Sequence, residues 1–327
     1  MNTKILLSFF LSVCFLGTLS AQKLDMTLLK EMKPRSMGPA GASGRVTAFD
    51  VELKNPDVIY AGTAAGGLWK SMNGGSTWDV IFDDGKSASI GSVAINQSNP
   101  NEIWVGTGEG NPRNSMNNGA GMYKTIDGGR NWEFLGLENT NGIHRIILHP
   151  NNPKIAVVAA TGTPWGENPE RGIYKTTDAG KTWAKTLYID EKTGAADLVV
   201  DPSNPNKMIA AMWEHRRWPW FFKSGGPSSG LFVSLDGGDS WTKRTDEDGL
   251  PKGELGRIGL AFAPSDPDRV YAYVESKSNA IYRSDDGGFK WRKISKTGDN
   301  NIGGRPFYYA DIYVDPKNEN RIYSIAS

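Results

Sequence analysis

Cysteine is nearly absent from this chain: Cys14 is the only one. It falls in an apolar leader, so the chain beyond the leader can form no disulfide and no thiolate metal site. Histidine is scarce, with three residues, His144, His149 and His215. They are too few and too scattered to suggest a catalytic triad or a zinc site, and we expect no metal and no cofactor. Net charge is also missing. Of 37 basic and 36 acidic residues, Lys4 is the only charged one before Gln22, which leaves 36 against 36. Nothing in that balance steers the protein to nucleic acid or to an anionic membrane. Neither Gly180-Lys181-Thr182 nor Gly106-Thr107-Gly108-Glu109-Gly110 completes a phosphate-binding loop. The one long apolar run, Ile5 to Leu19, is too short to span a bilayer comfortably. With Lys4 before it and Thr18-Leu19-Ser20-Ala21 after it, Met1 to Ala21 reads as a secretory signal peptide, and export to the periplasm, cell surface or medium is the expected localisation.

What the chain has in abundance is repetition. Ser71 to Trp78 reads SMNGGSTW, and Thr125 to Trp132 reads TIDGGRNW. TTDAGKTW, SLDGGDSW and SDDGGFKW follow, ending at Trp183, Trp241 and Trp291. The tryptophans are 54, 51, 58 and 50 residues apart, and self-similarity at a period near 50 marks a repeat architecture. The shared pattern is Ser/Thr-x-Asp-x-Gly-x-x-Trp, with Asn73 standing where later copies have Asp127, Asp178, Asp236 and Asp286. Each copy follows a short aromatic, β-branched run such as Gly172-Ile173-Tyr174-Lys175, which reads as strand. The carboxylate can accept hydrogen bonds from turn amides, Gly permits φ > 0, and Trp fills space beneath the turn. A calcium role is disfavoured because Asp285-Asp286-Gly287 lacks the spread of oxygen ligands that calcium loops need. The five Asx residues are therefore read as structural.

Asx-Pro pairs recur between the boxes: Asn55-Pro56, Asn99-Pro100, Asn152-Pro153, Asn204-Pro205, Asp266-Pro267 and Asp315-Pro316. Each marks a turn. One repeat is thus strand, Asx-Pro turn, strand, variable loop, strand, box, strand. The expected fold is all-β: a β-propeller of four-stranded blades, five complete plus the start of a sixth. Residues 1–21 are the leader, 22–43 an N-terminal segment with a short helix or edge strand over Met26 to Met32, and 44–327 the propeller. The chain stops where a third strand should follow, so we expect it to be a fragment of a longer protein, or N-terminal residues to complete the last blade.

This pattern resembles the Asp-box (BNR) repeats of sialidases, sortilin-type receptor propellers and xyloglucanase-type glycoside hydrolases. It is most similar to large secreted bacterial proteins with a sortilin N-terminal-type domain, through stretches such as Gly66-Gly67-Leu68-Trp69-Lys70-Ser71, Asn168-Pro169-Glu170-Arg171-Gly172, Met212-Trp213-Glu214, Ser224-Gly225-Gly226-Pro227 and Leu255-Gly256-Arg257-Ile258-Gly259. The resemblance covers about Arg35 to the end. It implies fold more than function, because propellers host unrelated activities. It also tells against hydrolysis. Xyloglucanase-type enzymes carry a catalytic Asp in a Thr-Asp-x-Gly-Gly stretch of the first blade, and here Thr63-Ala64-Ala65-Gly66-Gly67 lacks the carboxylate. The Phe/Tyr-Arg-Ile-Pro stretch of sialidases has only Gly44-Arg45-Val46-Thr47 for a counterpart.

Candidate functional residues fall in the second-to-third-strand loops. These are short in the first and fifth blades and long in the middle three, and long loops on a rigid scaffold are where function concentrates. The second blade inserts Gly108 to Ala120, with Arg113. The third inserts Gly162 to Arg171, with Trp165 and Arg171. The fourth inserts Trp213 to Ser229, with His215, Arg216, Arg217, Trp218 and Trp220. Aromatic faces stack on sugars and guanidinium groups read carboxylates or hydroxyls, though the same aromatics could pack the insertion onto its own blade. Aligning the inner strands on the Asx-Pro turns brings Arg145, Asp197 and Asp311 to equivalent positions facing the central channel. Asp197 and Asp311 are the candidate carboxylate pair for glycoside hydrolysis. The expected function is binding of a glycan or peptide on the insertion face. A xyloglucanase-like hydrolase and a structural propeller docking other domains of the same chain are the alternatives.

Overall fold

The computed structural model describes residues 25, 27, 45–296 and 302–325. The leader Met1 to Ala21 and the expected short element over Met26 to Met32 lie outside the described residues or are represented by Thr27 alone. Ser43–Ser327 forms one unit, built of sheets whose strands follow the repeat.

The first blade is β1 (Val46–Val51), β2 (Ile59–Thr63), β3 (Leu68–Ser71) and β4 (Asp79–Val80). The second is β5 (Ile90–Ile95), β6 (Ile103–Thr107), β7 (Met122–Thr125) and β8 (Glu133–Phe134). The third is β9 (Ile143–Leu148), β10 (Ala156–Ala160), β11 (Gly172–Thr176) and β12 (Ala184–Leu187). The fourth contains β13 (Thr193–Asp201), β14 (Asn204–Trp218), β15 (Phe221–Ser224), β16 (Gly230–Ser234) and β17 (Thr242–Arg244). The fifth is β18 (Ile258–Ala263), β19 (Asp266–Val274), β20 (Ala280–Ser284) and β21 (Arg292–Lys293). β22 (Ile312–Asp315) and β23 (Asn318–Ser324) begin the sixth. Every blade is an antiparallel meander in chain order, with β15 paired to β14 off the path of the fourth. The inner strands β1, β5, β9, β13, β18 and β22 contact one another in succession, as a propeller requires.

Apolar residues do not form one central core. They form layers between neighbouring blades. Tyr60 and Leu68 of the first blade pack with Ile90, Ile103 and Val105 of the second, and Ile209, Leu231 and Val233 of the fourth pack with Ile258, Leu260 and Val270 of the fifth. The inner strands approach so closely that a Cβ at Gly259 would collide with the carbonyl oxygen of Ala310. Lysines on the third strands reach across the same junctions. Lys70 Nζ donates to Gly128 O at 3.3 Å and Lys124 Nζ to Ala179 O at 3.0 Å, each on the box turn of the next blade.

The boxes fold as expected and add one detail. Asp178 Oδ1 accepts from Thr182 N at 2.9 Å and Oδ2 from Thr182 Oγ1 at 2.6 Å. The buried member of the box, however, is the hydroxyl residue. Thr176 is 1% exposed, and its Oγ1 accepts from the buried Gly180 N at 2.9 Å while donating to Asp178 Oδ1 at 2.8 Å. Ser71, Thr125, Ser234 and Ser284 repeat the arrangement. Two of the box tryptophans bind a carbonyl of the preceding blade, while Trp78 and Trp291 donate to the Gly75 and Gly288 carbonyls of their own turns. Trp132 Nε1 donates to Ile81 O at 2.7 Å and Trp183 Nε1 to Leu135 O at 2.8 Å. Only Trp291 is fully buried; Trp78 is 36% exposed.

Two local expectations are corrected. Asn55-Pro56, Asn99-Pro100 and Asn152-Pro153 do make turns, the Asn carbonyl accepting from Val58 N, Glu102 N and Ile155 N. In the fourth blade the turn lies earlier, at residues 202–203, and Asn204-Pro205 opens β14. The reason is Asp201, whose Oδ1 accepts from Ser203 N, Ser203 Oγ and Asn204 N and so closes a tighter hairpin. The turn of the fifth blade likewise precedes Asp266-Pro267, which opens β19. The other correction concerns the fourth insertion, which is not all loop. β14 runs on to Trp218, and β15 folds back on it, pairing Arg217 with Phe222 and Trp218 with Phe221. Residues 219–220 of Trp218-Pro219-Trp220 supply the turn.

Candidate ligand cleft and channel tie

The inner-strand register brings Arg145, Asp197 and Asp311 together. Arg145 Nε donates to Asp197 Oδ1 at 2.8 Å and Nη2 to Asp311 Oδ1 at 2.7 Å, tying the third, fourth and sixth blades across the channel. Asp197 also accepts from Leu198 N at 2.9 Å and Leu260 N at 2.8 Å. Against its burial, Arg145 and after it Arg257 hold the Asp311 carboxyl below the usual range. Beside this tie lies Arg257, 2% exposed. Its Nη1 donates to Phe307 O and Tyr308 O, and its Nη2 to Asn111 Oδ1 at 2.6 Å and His144 Nε2 at 3.2 Å. A guanidinium can only donate, so His144 Nε2 accepts and the ring proton sits on Nδ1, which has no partner. Burial, then the nearby Arg145 and Arg257, holds His144 neutral, well below the ordinary imidazole range.

The third and fourth insertions build a cleft of about 490 Å³. It is lined by Gly166 and Glu167 of the loop after β10, Lys192 of the link to β13, and Glu214, His215, Arg216, Trp218 and Lys223 of the β14–β15 hairpin. Alternation along β14 sends Glu214, Arg216 and Trp218 to one face and Trp213, His215 and Arg217 to the other. On the first face the Arg216 guanidinium lies 5.4 Å from the Trp218 ring centre, and Trp218 stacks on Phe221 at 6.1 Å and 30°. At the hairpin tip Trp220 is 82% exposed and Phe221 56%, and with Trp218 and Lys223 they line a second, open hollow of about 430 Å³.

Most of the other candidates are buried supports or lie outside the cleft. Trp213 is 1% exposed, stacks on His215 at 4.1 Å and donates from Nε1 to Ser224 Oγ at 3.0 Å, so it is packed beneath the hairpin. His215 is buried too; burial, then the Arg171 charge, holds it neutral. Arg171 is fully buried. Its Nη1 donates to Lys192 O, and its Nη2 to Thr163 O and Gly166 O, pinning the cleft wall. Burial lowers its pKa to about 10. Arg217 lies over the Phe222 ring at 4.4 Å, and its backbone N donates to Pro164 O at 2.7 Å. Trp165 is 37% exposed on the third insertion. Arg113 lies over Tyr308 and Tyr309, away from the cleft, at 5.8 and 5.9 Å. In the second insertion Glu109 is bound by Arg45, Nη2 to Oε2 at 2.6 Å.

Sequence reasoning passed over Lys192, Lys223, Asn111 and Arg257. Lys192 had a usable signal, since links between blades share the end of the insertions. Lys223 becomes a cleft residue only through the β15 register, which no motif announces. Among the described residues no group of acidic, histidine or cysteine side chains is arranged to hold a metal ion, and no helix is long and apolar enough to cross a membrane.

Comparison with known proteins agrees with this architecture. The Sortilin-Vps10 family (sortilin, neurotensin receptor 3) matches residues 120–249. A xyloglucanase of a Paenibacillus species is 29% identical over 210 residues, covering 53% of this chain and 19% of that protein. A probable oligoxyloglucan-reducing end-specific xyloglucanase of Neosartorya fischeri is 25% identical over 242 residues, covering 64% of this chain and 28% of its own. The chain thus spans less than a third of the length of these relatives. Among solved structures, an ancestral GH74 enzyme superposes with a TM-score of 0.63 at 19% identity, over 86% of this chain and 34% of that one. The GH74 xyloglucanase of Xanthomonas campestris superposes with a TM-score of 0.53 at 14% identity, over 85% of this chain and 50% of that one. The chain is a sortilin-like, xyloglucanase-like β-propeller.

Proposed function

We propose that this chain is the ligand-binding propeller of an exported protein, and that it takes a glycan in the cleft between the third and fourth insertions. One observation carries the reading: Trp218, Phe221 and Trp220 offer flat apolar faces at the rim of a cleft that also holds a guanidinium, two lysines and two carboxylates. Ring faces suit the CH surface of sugars, and the charged fork fixes hydroxyl or acid groups. So much exposed aromatic surface would be an association liability without a ligand or a neighbouring domain to cover it. Export rests on the leader Met1 to Ala21. The test is binding of a glycan panel, with a peptide panel beside it, to the chain and to a Trp218→Ala/Trp220→Ala variant. Because Trp220 is 82% exposed, the variant should melt as the parent does and lose the ligand. A ligand bound equally by both proteins would refute the placement.

Glycoside hydrolysis is the second reading, favoured by the xyloglucanases among the relatives. Asp197 and Asp311 fit it poorly as an acid–base pair, because Arg145 lies between them at 2.8 and 2.7 Å and engages both, whereas glycoside cleavage needs one protonated carboxyl free to donate. In this reading the cleft positions the polysaccharide. Release of reducing sugar from xyloglucan that survives both Asp197→Asn and Asp311→Asn would place the catalytic acid elsewhere; loss of release in either would restore the pair.

A further inference from the structure

The cleft holds more positive charge than it balances. Lys192 lies 3.8 Å from Glu167 and Lys223 2.5 Å from Glu214, so each lysine has its carboxylate. Arg216 has none among the described residues, and its buried Nε is without a hydrogen-bond partner. Behind it, Arg217 is 8% exposed, with Nε and Nη2 buried and unpartnered, and Arg171 is 0% exposed with Nε unpartnered. After burial, Arg171 feels the attraction of Asp190 first and then the repulsion of Arg216. Elsewhere in the fold Arg45, Arg145, Arg244, Arg269, Arg283, Arg292 and Arg321 each lie within 4.0 Å of a carboxylate. Among the described residues Arg113, Arg130, Arg171, Arg216, Arg217 and Arg257 have no carboxylate that close; Arg171, Arg216 and Arg217 meet at this junction, while Arg257 lies by the channel tie.

A buried cation without a paired carboxylate is costly, and the half-buried Arg216 with the buried Arg217 and Arg171 behind it creates a field that favours an anion. We propose that the ligand of this cleft is an acidic glycan, its carboxylate or sulfate group seated on Arg216 and its sugar ring lying on Trp218. The inference rests on the glycan reading above and narrows it to a substrate class. A guanidinium set beside an aromatic plane meets both halves of such a sugar at once: the fork takes two anionic oxygens and the ring takes the apolar face. Flat ring faces at the rim, rather than a closed side-chain socket, favour a sugar over an acidic peptide. Arg217 and Arg171 act through their charge on the group bound at Arg216.

Titration calorimetry on the whole chain tests this, with a tetragalacturonide, a sulfated tetrasaccharide, a neutral xyloglucan oligosaccharide and a glutamate-rich peptide as probes. One of the two acidic sugars should bind about tenfold or more tighter than the neutral one at low salt, and lose that margin at high salt. Which of them binds distinguishes carboxylate from sulfate. Arg216→Gln should remove the margin, weakening acidic binding far more than neutral binding, while Arg216→Lys should restore part of it. Arg217→Met should weaken acidic binding without lowering the melting temperature, since it removes an unpaired buried cation. Equal binding of acidic and neutral sugars, or an unchanged margin in Arg216→Gln, overturns the acidic assignment while the glycan reading stands. Tightest binding of the peptide overturns both, as does sugar binding that survives Trp218→Ala unaltered.

Discussion

The box hydroxyl should matter more to stability than the box carboxylate that defines the motif. Thr176 is the sharpest case. It is 1% exposed, and its Oγ1 is the acceptor for Gly180 N, itself buried, at 2.9 Å. Thr176→Val keeps the shape of the side chain, so no cavity opens, but the Gly180 N–H loses its partner in a place water cannot reach. Leaving one buried donor unsatisfied costs about 1–3 kcal/mol. In a domain of this size that corresponds to a melting temperature lower by very roughly 2–10 °C. Asp178 is different. The amide that its Oδ1 holds, Thr182 N, is exposed, and water can replace the acceptor. The first box already shows the substitution: Asn73 Oδ1 accepts from Thr77 N at 2.9 Å, as the aspartates do from their turn amides. Asp178→Asn should therefore melt close to the parent at neutral pH. Scanning calorimetry of the two single variants decides the matter. If Thr176→Val melts with the parent while Asp178→Asn falls by several degrees, the hydroxyl argument is wrong and the carboxylate holds the turn.

Two further outcomes follow from charge. Hydrogen bonds from Asn131, Thr182 and Ser240, and in the last box from the Lys290 amide against a larger opposing effect of burial, lower the carboxyls of Asp127, Asp178, Asp236 and Asp286, Asp178 to about 2. A lowered folded value means stability that is complete above the unfolded value near 4 and lost as pH falls toward 2; His144 and His215, held neutral by burial, begin the loss below their ordinary value near 6.5. Melting temperature should be level above pH 7 and decline in two stages, and a decline starting only below pH 4 would contradict the buried, neutral histidines. In the channel, Arg145→Met leaves Asp197 and Asp311 without their shared cation, at a cost on the order of 3 kcal/mol; denaturant titration should show that loss and a partial recovery on adding Asp311→Asn, and an unchanged midpoint would mean the tie contributes nothing.

Much of the fold was legible because the box repeats its chemistry at fixed spacing. Five copies of hydroxyl, Asx, Gly and Trp fix where each blade turns, and the turn fixes the register of the strands beside it. The same register placed Arg145, Asp197 and Asp311 on one channel wall from residue numbers alone. What stayed hidden was set by pairing across long sequence separations. Arg171 looked like a loop arginine offered to a ligand, and the structure buries it because the carbonyls of Thr163, Gly166 and Lys192 converge on it. Trp213 reads as part of an aromatic insertion, yet β14 carries it under the hairpin, where Ser224 and His215 enclose it. The hairpin itself was written in Trp218-Pro219-Trp220, but a run rich in arginine and tryptophan reads equally as a binding loop until β15 pairs with it.

Of the seven buried polar atoms without a partner among the described residues, five lie at the insertion end; Tyr123 Oη and Arg244 Nε are the other two. At the box end, hydroxyls, carboxylates, turn amides and lysines satisfy one another within and between blades. At the insertion end, His144 Nδ1, Arg171 Nε, Arg216 Nε and both Arg217 Nε and Nη2 are buried without partners. A buried donor left unsatisfied opposes folding, and the repeat shows that this chain can pair such groups wherever the geometry is its own to set. Their concentration around one cleft and the adjoining channel mouth means that stability is supplied by the box end and by the layers between blades. The insertion end is left with unpartnered donors, and the acidic ligand proposed above would complete it.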